Sequence, residues 1–176
     1  IIESYKQLCD ELIAKGYNFY SETDSEVIVH LLTDYINNGM SEKKAILKLT
    51  SKLKGAFALG ILFAGNEKII GIRKGSPLAI GYGEEEMYIG SDAIGLAPFT
   101  NKISYLEDGD WVIMAENQLK IFNSKGDNVD RPITITKVSG NSIEKGGFKH
   151  FMHKEIHEQP TVVGETLKSF IDPQSG

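Results

Sequence analysis

The sequence predicts an α+β domain in which a layer of helices precedes a mostly antiparallel sheet system. Two observations carry this prediction. Apolar residues recur at helical spacing through the first 52 positions, and beyond position 56 they fall into short segments separated by turn-forming residues. At 176 residues the chain is long enough for one domain with a substantial core.

The first helix is predicted from an apolar stripe that ends before Gly16, the expected C-terminal cap. The stripe consists of Tyr5, Leu8, Cys9, Leu12 and Ile13. Cys9 is the single cysteine of the chain, so no intrachain disulfide is expected. Because a thiol within an apolar stripe usually packs in the core, we interpret Cys9 as a packing residue rather than a nucleophile.

The second helix contains the most informative polar residue. Its predicted buried face consists of Val27, Ile28, Leu31, Leu32, Tyr35 and Ile36, and Gly39 follows its end. Thr23 and Glu26 fit a capping box at its start. On a helical projection Asp24 lies near the middle of the apolar arc, whereas Glu26 and His30 point away from it. An inward carboxylate is costly to desolvate unless it is paired, so Asp24 is a candidate for binding a cationic group.

A third helix is predicted over residues 41–52, with Ser41 as its N-cap and Ala45, Ile46 and Leu49 on its buried face. Seven strands are predicted to follow: Ala56–Phe63, Lys68–Arg73, Leu78–Tyr82, Met87–Gly90, Ile103–Leu106, Asp110–Ala115 and Gln118–Phe122. Turns are expected near Gly65-Asn66, Gly75-Ser76-Pro77, Asp108-Gly109 and Glu116-Asn117, with Glu84–Glu86 as a solvated hairpin tip. The unbroken apolar run of the first strand implies burial on both faces, so we expect the sheets to lie between other layers.

The composition excludes several functional classes. The formal net charge is −5, with acidic and basic residues interspersed, which is not the footprint of a nucleic-acid-binding protein. The longest apolar run, residues 56–63, is far shorter than the roughly 20 residues that span a membrane. One cysteine and no secretory signal favour a cytoplasmic protein. Because Ile1 opens the chain without a methionine, we expect the sequence to be a piece of a longer protein.

The C-terminal part differs in character. From residue 123 to 147 the sequence is polar and glycine-rich, and we expect the compact part to loosen there. The next segment, FKHFMHKEIHEQP, contains three histidines at a spacing that could bind zinc on one face of a helix, namely His150, His153 and His157. The opposite arc is apolar and consists of Phe148, Met152 and Ile156. The histidines are therefore expected to face solvent, and we predict no metal site.

Three strings of the sequence resemble the glutaminase domain of the glucosamine-6-phosphate synthases, also called glutamine:fructose-6-phosphate aminotransferases (isomerizing). The strings are ELIAKGYNFYSETDSEVIVHLL, RKGSPLAIGYGEEEMYIGSD and FKHFMHKEIHEQP. The resemblance runs from Ile1 to about Lys168. The last string, which in that family leads out of the glutaminase domain toward a sugar isomerase domain, is the most specific.

This resemblance implies a four-layer αββα fold of the N-terminal nucleophile (Ntn) hydrolase type, lacking its first strands. It implies a partial glutaminase domain over residues 1–147 and a tail over 148–176 that leads toward an isomerase domain outside this chain. In the family an N-terminal cysteine thiolate attacks the glutamine side-chain amide, a thioester forms, and the ammonia released converts fructose 6-phosphate into glucosamine 6-phosphate. The expected partners are glutamine, the isomerase domain of the same polypeptide and a second copy in a homodimer. No cofactor, nucleic acid or membrane is expected.

The sequence departs from the family at its start. No cysteine stands at position 1, and Ile1–Glu3 resemble the residues that directly follow the Asn-Gly pair of the family's oxyanion hole. We therefore expect the chain alone to be inactive, since Cys9 is internal and lacks a free amine to act as base. One functional residue carries over: Asp24, in SETDSEV, matches the aspartate that binds the α-amino group of glutamine.

Two other interpretations stay open from the sequence. The first is the glutaminase domain of a phosphoribosyl-transferring or asparagine-forming amidotransferase, against which the FKHFMHKEIHEQP segment argues. The second is a non-catalytic folded module, which an assay of glutamate production distinguishes from a glutaminase.

Overall fold

A computed structural model of the chain describes residues 1–65, 67–115, 118–136 and 145–170. The chain divides into two compact units, Ile1–Val138 and Ser139–Gly176. Two predicted features, the Glu116-Asn117 turn and part of the Gly65-Asn66 turn, lie outside the described residues. No helix in the described ranges combines the length and the apolar character needed to cross a membrane.

Three helices open the first unit: α1 (Tyr5–Ile13), α2 (Glu26–Asn37) and α3 (Glu42–Lys52). Their existence and most of their buried faces are as predicted. Gly16 and Gly39 follow α1 and α2 with φ of 92° and 80°, a conformation that glycine adopts without strain. The predicted burial is wrong for two residues near the helix ends: Ile13 is 53% exposed and Ile36 is 37% exposed.

Nine strands in the described ranges form two antiparallel sheets. The first sheet has the order β1-β2-β6-β7-β8 and consists of Phe57–Leu62, Lys68–Lys74, Trp111–Ala115, Gln118–Phe122 and Asn128–Val129. The second has the order β4-β3-β5-β9 and consists of Met87–Gly90, Ala79–Tyr82, Lys102–Tyr105 and Thr134–Ile135. A short helix, α4 (Ala93–Leu96), follows β4, and the Asp92 carboxylate caps it by accepting the Gly95 N–H at 2.9 Å.

Among the described residues, three apolar clusters lie between four layers of secondary structure. The first packs α1–α3 against one face of the first sheet and includes Ile46, Leu49, Ile70, Ile72 and Trp111. The second fills the space between the sheets and includes Ile80, Leu106, Val112, Met114 and Ile121. The third packs α4 against the outer face of the second sheet and consists of Ala79, Ala93, Leu96 and Ile103. The predicted four-layer αββα arrangement is therefore confirmed, with α4 as the described helix of the fourth layer.

The first strand is less buried than its apolar sequence predicts. β1 lies at the edge of its sheet and pairs only with β2 among the described strands. Phe57 is buried, but Leu62 is 73% exposed and Gly60 is also exposed. The prediction of burial on both faces is wrong for this strand, because no described residue covers the face at Gly60, where an added Cβ would meet nothing within 4 Å.

The segment after residue 122 is more ordered than its polar composition predicts. It contributes β8 to the first sheet and β9 to the second. Arg131 lies between these strands and binds the Asp110 carboxylate through two nitrogens, at 2.7 and 2.9 Å. The predicted loosening is therefore wrong up to residue 136, and residues 137–144 lie outside the described part.

The second unit contains α5 (Phe151–Phe170), a helix with Pro160 inside it. Its exposed apolar side chains include Phe151, Met152, Ile156, Val163 and Leu167. The domain boundary at residue 147 remains a prediction.

Candidate functional site

Asp24 lies in the turn before α2 rather than on the helix. The helix begins at Glu26 with Ser25 as its N-cap, so the helical projection that placed Asp24 within the apolar arc is wrong. The carboxylate is nonetheless turned toward the protein and half-buried. Its Oδ2 accepts a hydrogen bond from the backbone N–H of Ile2 at 2.6 Å. Ile2 is the one donor to this carboxylate among the described residues, which leaves lone pairs for a further donor.

The first residues of the chain are held against the segment that leads into β1. The Ile1 backbone nitrogen donates to the Ala56 carbonyl at 2.7 Å, and the Glu3 N–H donates to the Lys54 carbonyl at 3.0 Å. Between them Ile2 forms an antiparallel bridge with Gly55. A Cβ at Gly55 would collide with the Ile1 carbonyl, and φ of 108° independently favours glycine there. Asp24 is thus bonded to a backbone segment whose position is fixed on both sides.

The predicted capping box at the start of α2 is wrong. The Glu26 carboxylate does not bond to Thr23 but accepts from the backbone N–H groups of Tyr20 and Ser21, each at 2.8 Å. It also accepts from the Ser21 hydroxyl at 2.5 Å. These hydrogen bonds lower the pKa of the Glu26 carboxyl to about 2, and the bond from the Ser21 hydroxyl has the largest effect.

His30, predicted to point away from the apolar face of α2, is packed rather than exposed. Its ring lies against Tyr17 and Phe19, with centroid distances of 5.2 and 4.5 Å. Its Nε2 is 3.4 Å from Glu26 Oε1, and both side chains are less than one-fifth exposed. This pair was not predicted from the sequence, although the spacing of four residues on α2 brings the two side chains to the same face.

A groove of about 610 Å³ runs between α2 and β1 beside this loop. Thr23 and Ser25, the neighbours of Asp24 in sequence, are among the residues that line it. Most of the remaining lining is apolar and includes Val29, Leu32, Ile36, Leu59, Ile61 and Phe63. The half-buried carboxylate therefore lies next to an open apolar groove.

Cys9 has the environment of a packing residue. It is half-buried on α1 and contacts the cluster between the helices and the first sheet. Its position against this cluster agrees with the predicted packing role of Cys9.

The histidines of the second unit were predicted to lie on the arc opposite Phe148, and this is wrong for two of them. His150 precedes α5, whereas His153 and His157 are one turn apart on it with ring centroids 4.5 Å apart. Both rings contact Phe148, at 5.3 and 5.1 Å. His157 Nδ1 lies 2.9 Å from the His153 carbonyl, which occupies one of its two nitrogens. Within the described ranges no group of three or more potential ligands is arranged to hold a metal.

Comparisons with protein families and with curated sequences both relate the chain to glutamine amidotransferases. Residues 1–98 match the family described as "Glutamine amidotransferase domain". The whole chain is 49% identical over 177 residues to a glutamine–fructose-6-phosphate aminotransferase (isomerizing) from Zymomonas mobilis and spans 29% of that protein. A protein with the same description from Bradyrhizobium diazoefficiens is 49% identical over 98% of the chain, which spans 28% of its length.

A solved structure supports the fold. Glutamine phosphoribosylpyrophosphate amidotransferase from B. subtilis superposes on 72% of the chain with a TM-score of 0.62 and 23% sequence identity. The superposition covers 28% of the B. subtilis chain. At this identity the likeness shows a shared fold, the Ntn hydrolase type predicted from the sequence, and carries no further conclusion.

Proposed function

Because this chain belongs to the glutamine amidotransferase domain family, we propose that it is the glutamine-binding portion of a glutamine:fructose-6-phosphate aminotransferase. The observation that carries the proposal is the Asp24 carboxylate, fixed by the Ile2 N–H at 2.6 Å beside the start of β1. By resemblance to the family, Ile1–Glu3 correspond to the residues that directly follow the Asn-Gly pair of the oxyanion hole. The bond to Ile2 supports a position for Asp24 near the oxyanion hole, where bound glutamine would lie.

Asp24 suits the α-ammonium group of glutamine. One oxygen is occupied by a backbone donor, which fixes the plane of the carboxylate, and the other can accept from an ammonium. A charge-assisted hydrogen bond in a partly desolvated site is stronger than a neutral one and selects a cationic α-amino group. Asp24 would thus bind and orient the substrate without taking part in proton transfer.

The chemistry requires groups outside this chain. A cysteine thiolate in a preceding segment would attack the glutamine side-chain amide and expel ammonia, and water would hydrolyse the thioester to glutamate. The ammonia would pass to a sugar isomerase domain of the same polypeptide, which holds fructose 6-phosphate. We further propose that the complete protein is a cytoplasmic homodimer and that residues after 147 lead toward the isomerase domain.

The sequence identities to relatives favour fructose 6-phosphate, rather than a phosphoribosyl compound, as the acceptor of ammonia. The relatives that share 49% identity over almost the whole chain are glutamine–fructose-6-phosphate aminotransferases. The phosphoribosylpyrophosphate enzyme shares 23% identity over 72% of the chain. The acceptor proposal rests on this difference, because the acceptor site would lie in another domain.

A chimeric enzyme tests the proposal. In the Zymomonas mobilis aminotransferase, the matching portion is replaced by this chain, and glucosamine 6-phosphate formed from glutamine and fructose 6-phosphate is measured. We expect turnover comparable with that of the parent enzyme. The background control is the same chimera with the family's N-terminal cysteine changed to alanine. A folded chimera with no more activity than this control would contradict the proposed function.

A further inference from the structure

The Glu26 carboxylate fixes the loop that precedes α2. Its Oε1 accepts from the Tyr20 N–H, and its Oε2 accepts from both the N–H and the hydroxyl of Ser21, at distances of 2.5 to 2.8 Å. A carboxylate with three donors stays ionised at neutral pH and holds those donors in one arrangement. The backbone at Tyr20 and Ser21 is therefore tied to the first residue of α2.

The Ser21 hydroxyl extends this connection to the residue before Asp24. Because its hydrogen is donated to Glu26, the Thr23 hydroxyl is the donor in the 2.7 Å contact with Ser21 Oγ. The Thr23 N–H also lies 3.3 Å from Ser21 Oγ, and the Thr23 carbonyl accepts from the Glu26 N–H at 3.4 Å. Asp24 thus lies in a closed loop of hydrogen bonds that begins and ends at Glu26.

His30 limits the movement of Glu26 itself. It lies one helical turn further along α2, with its ring packed against Tyr17 and Phe19 and its Nε2 3.4 Å from Glu26 Oε1. The half-buried Glu26 side chain is thus held between the packed His30 ring and three hydrogen-bond donors. It would therefore lose little rotamer entropy when a ligand binds.

We propose that Glu26 is a positioning residue for glutamine: it holds the loop so that Asp24 keeps one oxygen on Ile2 and presents the other to the α-ammonium group. This inference rests on the proposed glutamine-binding role of Asp24. Glu26 itself does not contact the substrate in this proposal. Its effect should therefore appear in the binding of glutamine and not in the chemical steps, which use groups elsewhere.

The test measures kcat and KM for glutamine in the chimeric enzyme carrying Glu26→Gln, Ser21→Ala or Ser21→Thr. Glu26→Gln places amide hydrogens against the N–H donors of the loop, and we expect KM to rise about tenfold with kcat changed less than about twofold. Ser21→Ala should raise KM several-fold, whereas Ser21→Thr keeps the hydroxyl and should restore a value near that of the parent. Assays are run at a temperature at which each variant is fully folded.

Glu22→Gln is the matched control, because it removes the same charge from an exposed side chain of the same loop. If Glu26→Gln shifts KM no more than Glu22→Gln does, or if kcat falls in place of a rise in KM, the positioning role is wrong. Asp24→Asn, measured in parallel, separates the two proposals. A raised KM for Asp24→Asn with an unchanged KM for Glu26→Gln overturns only the positioning role, and an unchanged KM for Asp24→Asn overturns both.

Discussion

Gly60 of β1 and Gly71 of β2 lie directly opposite each other in the first sheet, and only Gly71 is in close contact with the second sheet. A Cβ at Gly71 would collide with Ile89 and come within 2.8 Å of Val112. A Cβ at Gly60 would meet nothing within 4 Å. The absence of a side chain at Gly71 therefore sets how closely the two sheets approach.

This pair gives a matched test of the packing between the sheets. We expect Gly71→Ala to lower the free energy of unfolding by about 1 to 3 kcal/mol, because the added methyl overpacks the space between the sheets. Gly60→Ala adds the same methyl at an open edge and should be neutral or slightly stabilising. Urea unfolding of the 176-residue chain measures both. Equal losses in the two variants would show that the sheets are not packed as described.

The Arg131–Asp110 pair should contribute more to stability than exposed ion pairs do. Asp110 is 1% exposed, and Arg131→Met would leave its carboxylate buried without a counter-charge. We expect a loss of about 3 kcal/mol in the free energy of unfolding. Lys52→Met breaks the exposed pair with Glu11 and is the control, for which a much smaller loss is expected. Similar losses would indicate that burial of Asp110 has no energetic consequence.

The lowered pKa of Glu26 predicts a specific dependence on pH. Hydrogen bonds in the folded state lower the pKa from 4.5 to about 2, so the ionised carboxylate stabilises the fold above about pH 4.5. That stabilisation is lost as the pH falls toward 2. The difference in melting temperature between the parent chain and Glu26→Gln should therefore be constant near neutral pH and shrink in this acidic window. A difference that does not change down to pH 2 would contradict the described hydrogen bonds.

Sequence patterns predicted the helices and strands whose apolar periodicity is long and regular. The stripe around Ile46 and Leu49 predicted α3, and seven strands were found from alternation and turn residues. The strands β8 and β9 were missed because two residues are too few to show a period. The exposure of Leu62 could not be predicted either, because an apolar strand sequence does not say whether another layer covers the strand.

The site was predicted less completely than the fold. Asp24 was selected for an inward orientation that proved right, but the reason given, a helical position, was wrong. The true cause is a bond to Ile2, 22 residues away, and no local pattern reports such a contact. The bonds from Glu26 to Tyr20 and Ser21 were missed for a related reason, since the S/T-x-x-E pattern at Thr23 suggested a different partner.

The proposed role of Asp24 is tested most directly by the KM for glutamine of the Asp24→Asn chimera, with its melting temperature measured in parallel. Asparagine keeps the shape and can still accept from the Ile2 N–H, so the fold should change little. Removing the counter-charge of a bound ammonium typically costs about 2 to 5 kcal/mol, which corresponds to a fall in kcat/KM of roughly 30-fold or more. We predict this fall, through KM, with a nearly unchanged melting temperature. Near-normal glutamine kinetics together with a lowered melting temperature would show that Asp24 only stabilises the loop and would contradict its role in binding glutamine.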